Sequence, residues 1–286
     1  MAALPDGAEL AREIHLRPGV GIAAQVLQLR GLEILRMRVD QPALILVDRG
    51  IKAVRSERGA AVRAVPGQAI VLSGNQTVDF TNSVPDGTHY EARWLLFDLA
   101  LLDDAYYAGR AAQVEPPERH APPVRLVRQV SDGLAGAFDR ARQALAPKAG
   151  IPDAIARQRV LEAMHWLLED GIALRSAPVH PSLSVKVRAL IAGRQDEAWT
   201  TDRVAGALAL SEATLRRRLA AENTSLTDLL VDARMATALT LLQATTQPVS
   251  GIALSVGYES PSRFAVRFRQ RFGFAPTAVR GHERAA

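Results

Sequence analysis

The sequence predicts an α+β protein in two parts: a β-barrel or sandwich with following helices, then an all-α domain built on two repeated helical units. Three observations carry this. Residues 20–99 form a series of short apolar or alternating runs, the pattern of strands. From residue 124 onward the apolar period becomes that of helices. Near the C-terminus, Ser211-Glu-Ala-Thr-Leu215-Arg-Arg-Arg218-Leu219 recurs 49 residues later as Ser260-Pro-Ser-Arg-Phe264-Ala-Val-Arg267-Phe268. A repeat of this kind marks two related structural units.

The elements follow in order. Residues 21–29, 33–39 and 43–47 are short apolar runs that read as strands. Residues 60–65 alternate, Pro66-Gly67 signals a turn, and 68–72, 78–82 and 89–99 complete the set. Tyr90 and Trp94 are expected in the core of this part, with a place beside a ligand cavity as the alternative. Val124, Val127, Val130, Leu134, Phe138, Ala141 and Leu145 share one helical face, and Pro147 and Gly150 end that helix. A second helix spans about Asp153 to Asp170, with Ile155, Val160, Leu161, Met164, Leu167 and Leu168 on its apolar side. Residues 177–183, with two prolines, read as a linker between a part at 1–176 and a helical part at 184–286.

In the helical part, Thr200 or Thr201 caps a helix over 202–208, and Ser211 caps the next, which runs to about Glu222. Asn223 stands where that helix stops, in a position suited to the left-handed conformation. A long helix follows from Ser225 to about Ala244. Pro248 and Ser250 open the second unit, with Ile252–Val256 as its first helix; Gly257-Tyr258 makes its turn, and Ser260 with Pro261 starts a helix that stops at Gly273.

Composition narrows the chemistry. The 286 residues hold no cysteine, which excludes disulfides, thiolate catalysis and zinc fingers. No apolar run approaches the roughly 18 residues of a membrane span. The N-terminus lacks a basic n-region and an apolar h-region, so no secretory leader is expected and the cytoplasm is the expected compartment. The charge is lopsided. Residues 183–286 hold 14 Lys/Arg against 9 Asp/Glu, a net of +5, whereas residues 1–182 hold 21 of each. The whole positive excess therefore lies in the helical part, which points to a polyanionic partner.

The placement of the arginines makes that partner double-stranded DNA. A helix-turn-helix sets its second helix in the major groove. Leu215/Leu219 and Phe264/Phe268 stand four apart and face the core. That leaves Ala213, Arg216 and Arg217 for DNA on the first such helix. Ser262, Arg263, Val266, Arg267 and Arg269 are the candidates on the second. Arginine binds guanine O6/N7 in bidentate fashion, and Ala213 or Val266 suits a thymine methyl. The connecting helix, of about 20 residues, is about 30 Å long, near the roughly 34 Å between successive major-groove faces.

These residues resemble the AraC/XylS family of transcriptional regulators over roughly Trp199–Arg280. The most specific stretch is Ile252-Ala-Leu-Ser-Val-Gly-Tyr258, continuing through Ser260, Phe264, Phe268-Arg269, Phe272-Gly273 and Pro276, with Arg234 matching in the connecting helix. The chain departs from the family pattern at Leu219-Ala220 (Phe-Lys), at Asn223 (Gly) and at Val266 (Arg). The N-terminal part is similar, more loosely, to the family's cupin-like regulatory domain, best at Val65–Leu72. The resemblance implies a regulator of promoter DNA, an activator rather than a repressor, working with RNA polymerase. It also implies an N-terminal domain that binds a small effector or a regulatory protein, followed by helices that form a homodimer. The 124–145 stripe serves either that dimer or packing on its own barrel.

Other chemistries fit poorly. A metal-dependent cupin enzyme needs a His-x-His with further ligands, and the six histidines do not form it. His89 and Glu91 share a strand face, but two ligands do not make a site. The related fusions with alkyl-transfer repair enzymes need thiolates. Phosphate-cradling glycine loops and nucleophile elbows are missing. The expectation is a regulator and not an enzyme, with no cofactor and no metal; no effector-binding residue is assigned.

Overall fold

The computed structural model describes residues 13–56, 59, 61–84, 88–114, 122–147, 150–174, 182–192 and 194–280. Residues 177–181 of the expected linker lie outside them. The chain divides into two compact units, residues 1–176 with 243–245, and residues 177–242 with 246–286.

The first unit is a two-sheet sandwich backed by helices. Its strands are β1 (Glu13–Arg17), β2 (Gly21–Gln28), β3 (Leu32–Val39), β4 (Ala43–Arg49), β5 (Ile51–Ser56), β6 (Val62–Ala64), β7 (Ala69–Leu72), β8 (Gln76–Ser83), β9 (Tyr90–Phe97) and β10 (Val124–Val127). Six form one sheet in the order β1-β2-β9-β4-β7-β10, and four form the other, β3-β8-β5-β6. The strand pairs are antiparallel. Between the sheets lie Ile45, Val47, Val54, Ile70, Leu72, Val78 and Tyr90. On the outer face of the larger sheet, Leu44, Leu46, Val71, Leu95 and Phe97 meet the helices. Residues 43–47 are thus buried on both faces, which is why they read as a continuous apolar run.

Helices α1 (Leu99–Leu102), α2 (Ala105–Val114), α3 (Asp132–Leu145) and α4 (Asp153–Glu169) cover that face. Ser131 caps α3 by accepting from the Leu134 amide at 3.2 Å. The buried Tyr107 hydroxyl ties α2 to the chain after α4, donating to Leu174 O at 3.1 Å and accepting from its amide at 2.8 Å.

The expected helix over Val124–Leu145 is corrected in its first turn. Residues 124–127 are strand β10, pairing with β7 at the sheet edge, and the helix begins only at Asp132. Val124 and Val127, three apart, would share a helix face, but in the strand they lie on opposite faces, Val124 between the sheets and Val127 toward the helices. The stripe proper resolves the choice left open above. Leu134, Ala137, Phe138, Ala141 and Leu145 are buried against the unit's own sheet and helices, so this face is occupied within the chain.

The second unit is helical throughout its described residues: α5 (Leu183–Ile191), α6 (Thr201–Ala207), α7 (Glu212–Ala221), α8 (Leu226–Ala244), α9 (Val249–Ser255), α10 (Pro261–Phe272) and a terminal 3-10 turn, Pro276–Arg280. No helix among the described residues is long and apolar enough to cross a membrane.

Candidate nucleic-acid interface

Two helix-turn-helix units are built by the same local devices. In the first, α6 is capped by Thr200, which accepts from the Arg203 amide at 3.2 Å. Its end is closed by Leu210 N donating to Ala205 O at 2.9 Å, with Ala209 at φ 53°. In the second, Tyr258 N donates to Ala253 O at 2.9 Å, with Gly257 at φ 81°. The same turn thus closes both first helices. Gly257 suits its place doubly, since a Cβ there would lie 2.8 Å from Arg234 Nη2 and 2.9 Å from Gln195 O. Ser211 and Ser260 cap the second helices, accepting from Thr214 N at 3.2 Å and Arg263 N at 3.4 Å. Asn223 ends α7 at φ 54°, the left-handed position expected of it.

Packing decides which side chains face out. Leu215 and Leu219 are buried with Val187, Ile191, Trp199 and Val204. Phe264, Phe268 and Phe272 are buried along α10, with successive ring centroids 5.6 and 4.7 Å apart. Counting about 100° per residue from those core lines, Ala213 and Arg217 lie one turn apart on the outward centre of α7. Arg216 turns to the flank, where Glu212 Oε2 accepts from its Nη2 at 2.8 Å. On α10, Ser262, Val266 and Arg263 take the outward centre, while Arg267 and Arg269 stand on opposite rims. Arg267 donates to Gln270 Oε1 at 3.4 Å. The side chains of Arg217, Arg263 and Arg269 are exposed, with no partner recorded among the described residues. Val266 is 57% exposed, an apolar group presented to solvent between basic neighbours. Gln270 is a further exposed group on this face; only its outward angle distinguishes it, and nothing in its residue type marks it.

The long helix α8 fixes one unit against the other. Asp232 accepts from Arg188 of α5 at 3.3 Å and from Arg271 of α10 at 3.1 Å, one on each carboxylate oxygen. Two residues on, Arg234 donates to the carbonyls of Gln195 (2.9 Å) and Glu197 (3.3 Å) in the first unit. Its guanidinium lies 5.8 Å from the Tyr258 ring centroid in the second. Glu222, at the end of α7, accepts from the Leu183 and Ser184 amides at 2.7 and 2.9 Å and so caps α5. Partial burial pushes the Glu222 carboxyl up. The Ser184 hydroxyl, the two amides and Ser182 outweigh this and hold it below the usual range.

Two polar groupings interrupt the first unit. Arg93 donates to both Asp48 oxygens at 2.9 Å and to Asp139 at 2.6 Å, beside a cleft of about 260 Å³ lined also by Val47, Gln68 and Val130. The hydrogen bond to Asp48, chiefly, raises the Arg93 pKa, and its charge is fully matched. The other lies between the sheets. Lys52 Nζ donates to Asn82 Oδ1 at 3.0 Å, and Asn82 Nδ2 donates to Gln28 Oε1 at 2.9 Å. His89 stands 3.4 Å from Glu91, which also accepts from Gln25 at 2.7 Å. Among the described residues no three His, Asp or Glu side chains gather as a metal-holding group.

Residues 204–282 match the family described as a helix-turn-helix domain. The transcriptional regulator GadX of Escherichia coli K12 is 33% identical over 123 residues, 42% of this chain and 45% of that protein. SirC of Salmonella typhimurium is 36% identical over 91 residues, 32% of this chain and 31% of its own. The chain thus matches less than half the length of these relatives. Among solved structures, ToxT from Vibrio cholerae superposes with a TM-score of 0.61 at 12% identity, over 91% of this chain and 97% of that one. A second ToxT structure, with an unsaturated fatty acid bound, gives 0.58 at 10% identity, over 93% and 98%. At these identities the likeness is one of fold: a β-rich N-terminal part followed by a helical helix-turn-helix part.

Proposed function

We propose that this chain is a sequence-specific, DNA-binding transcriptional regulator of the AraC/XylS type, a reading supported by the match of residues 204–282 to the helix-turn-helix family. The observation that carries the reading is the pair of outward faces, Ala213/Arg217 on α7 and Ser262/Arg263/Val266 on α10, joined through the ion-paired helix α8. Arginine and small apolar groups at adjacent positions suit guanine edges and thymine methyls in the major groove. Arg267 and Arg269 at the rims, and Arg216 on its flank, suit phosphates, which set position rather than sequence.

The regulator reading extends to both parts of the chain. Residues 1–176 form the sensing part, 177–183 the linker and 184–286 the DNA-binding part. A small effector held by the sandwich changes the affinity for promoter DNA, and the bound protein recruits RNA polymerase as an activator. A sandwich whose interior holds unmatched polar groups, and a protein of the same fold with a fatty acid bound, support effector control. Control by a regulatory protein is the second reading, favoured by the exposed Trp166 and Ile155 on α4. Two copies bind a paired operator, through a surface other than the α3 stripe.

The test is selection of bound duplexes from a random pool by the full chain, followed by mobility shift at two salt concentrations. One enriched sequence with two segments about a helical turn apart is expected, and affinity should fall steeply with salt. Enrichment of no sequence, or binding indifferent to salt, would overturn the reading. Transcription from a promoter bearing the selected sequence then separates activation from repression.

A further inference from the structure

The outward face of α10 differs in kind from that of α7. Counted at about 100° per residue from the Phe264, Phe268 and Phe272 core line, Val266 and Gln270 each point within about 20° of straight outward, one turn apart. Val266 is 57% exposed, and every other exposed side chain from Ser262 to Gln270 is polar. Arg263 lies beside this pair, and Arg267 and Arg269 flank it at the rims. The middle of a strongly basic helix is therefore uncharged. On α7 the same place holds a cation: Arg217 is central, with the small, exposed Ala213 and Ala220 beside it.

Both central groups of α10 are fixed in what they present. A valine in a helix is held largely in one rotamer, so its two methyls meet a partner at little entropic cost. The Gln270 amide is oriented by its neighbour. A guanidinium only donates, and Arg267 Nη1 donates to Gln270 Oε1 at 3.4 Å. That turns the oxygen sideways and leaves the amide nitrogen as the group offered outward. The face thus presents an apolar contact and, about 5–6 Å away at Cβ, a hydrogen-bond donor.

Among the four bases one is the complement of both. In the major groove thymine shows its C5-methyl beside the O4 acceptor. Cytosine has no methyl there, and its N4 donor would meet the Gln270 donor. The purines offer acceptors but no methyl for Val266.

We infer that Val266 and Gln270 together read one thymine, by its methyl and its O4. The two segments of the operator then differ, with guanine under Arg217 and thymine under Val266, so the chain binds in one direction. This assignment rests on the regulator reading above and names the base that its second unit takes.

The experiment is competitive mobility shift of the full chain on the selected duplex. Each thymine of the two segments is replaced in turn by deoxyuridine, which lacks only the methyl. One position, in one segment, is expected to weaken binding about fourfold, the worth of one buried methyl. Val266→Ser, on an exposed face where it leaves the core intact, should bind the thymine and uracil duplexes alike. At the same pair 5-methylcytosine should bind better than cytosine by a similar factor. It should still bind at least about tenfold worse than thymine, because its N4 donor faces the Gln270 amide. Gln270→Ala should shrink that second difference and keep the uracil effect. Arg217→Ala should also keep the uracil effect, since it acts on the other segment. A selected duplex with no uracil-sensitive thymine would overturn the assignment, as would a uracil effect that survives in Val266→Ser. 5-Methylcytosine as good as thymine would remove Gln270 from the reading. Failure of the full chain to select any sequence would instead overturn the regulator reading itself, before any substitution is made.

Discussion

Arg216 and Arg217 are neighbours in sequence with different surroundings. Arg216 is engaged by Glu212 on its own helix, while Arg217 points outward with no partner among the described residues. An exposed i,i+4 pair is worth only a few tenths of a kcal/mol, yet it must be broken before Arg216 can reach a base. Arg217→Ala is therefore expected to weaken specific binding by about 1–3 kcal/mol and relax preference at one base pair. Arg216→Ala should cost less and act alike on all sequences. Competitive mobility shift with single-base variants of the selected duplex measures both. A second residue-scale prediction concerns Ala209, which holds φ 53° where the other unit has Gly257. A left-handed alanine costs roughly 1–2 kcal/mol, and part of that returns as unfolded-chain entropy on substitution by glycine. Ala209→Gly should thus raise unfolding stability by about 0.5–1 kcal/mol in chemical denaturation. Gly257→Ala should lower it, because both φ and the close Arg234 guanidinium oppose a methyl group.

At the scale of elements, α8 acts as a ruler with charged fittings. Asp232 joins α5 and α10, and Arg234 reaches both units. Asp232→Asn is expected to keep the helices, whose cores are apolar, but to loosen their mutual setting. Affinity for the two-segment duplex should then fall roughly tenfold, with little change for a duplex holding one segment. An equal loss on both duplexes would mean that Asp232 acts on folding instead. Glu222→Gln tests the cap on α5. The folded carboxyl sits below its ordinary range, so its stabilisation is present above the unfolded pKa and fades as pH falls through the folded one. Removing the charge should cost about 1 kcal/mol near neutral pH and less in acid, as read by thermal melts across pH. The elements also show where sequence reading stopped. β5 is missing from the strands expected of the sequence, because Ile51-Lys-Ala-Val-Arg-Ser56 alternates imperfectly. Pairing with β8 sets Lys52, Val54 and Ser56 inward, and a slip of one residue would have reversed this. β10 reads as helix in the sequence because Val124 and Val127, three apart, continue the helical stripe, and only its pairing with β7 shows the strand.

For the whole molecule, the buried lysine has a consequence for stability against pH. Lys52 titrates at about 7 in the folded chain and near 10.5 in its ordinary state. Between those values the unfolded chain binds the extra proton, so stability rises with pH through that window. Below about 7 the full cost of burying the charge is present. Lys52→Met should flatten this dependence and raise stability most at low pH, as measured by denaturation across the range. A wild-type curve already flat between those limits would contradict the buried position. The net of +5 confined to residues 183–286 acts at the same scale, drawing that unit toward a polyanion with a salt-dependent rate.

The helical half was legible because its signals are local. Ser211 and Ser260 as caps, Gly257 and Asn223 at left-handed positions and the Leu215/Leu219 and Phe264/Phe268 spacings act within a few residues, so the linear order contains them. The two-part α+β architecture and the arginine-bearing helices followed from the same kind of evidence. Only the tertiary structure decided which arginines look outward, that α3 is occupied by its own sheet, and that Asp232 joins two units 39 residues apart at Arg271. It also decided that a lysine on a short strand lies inside, facing Asn82 with Gln28 beyond it. Those facts depend on strand register and on contacts between distant residues, and a side chain's direction in a sheet reverses with every single step along the chain.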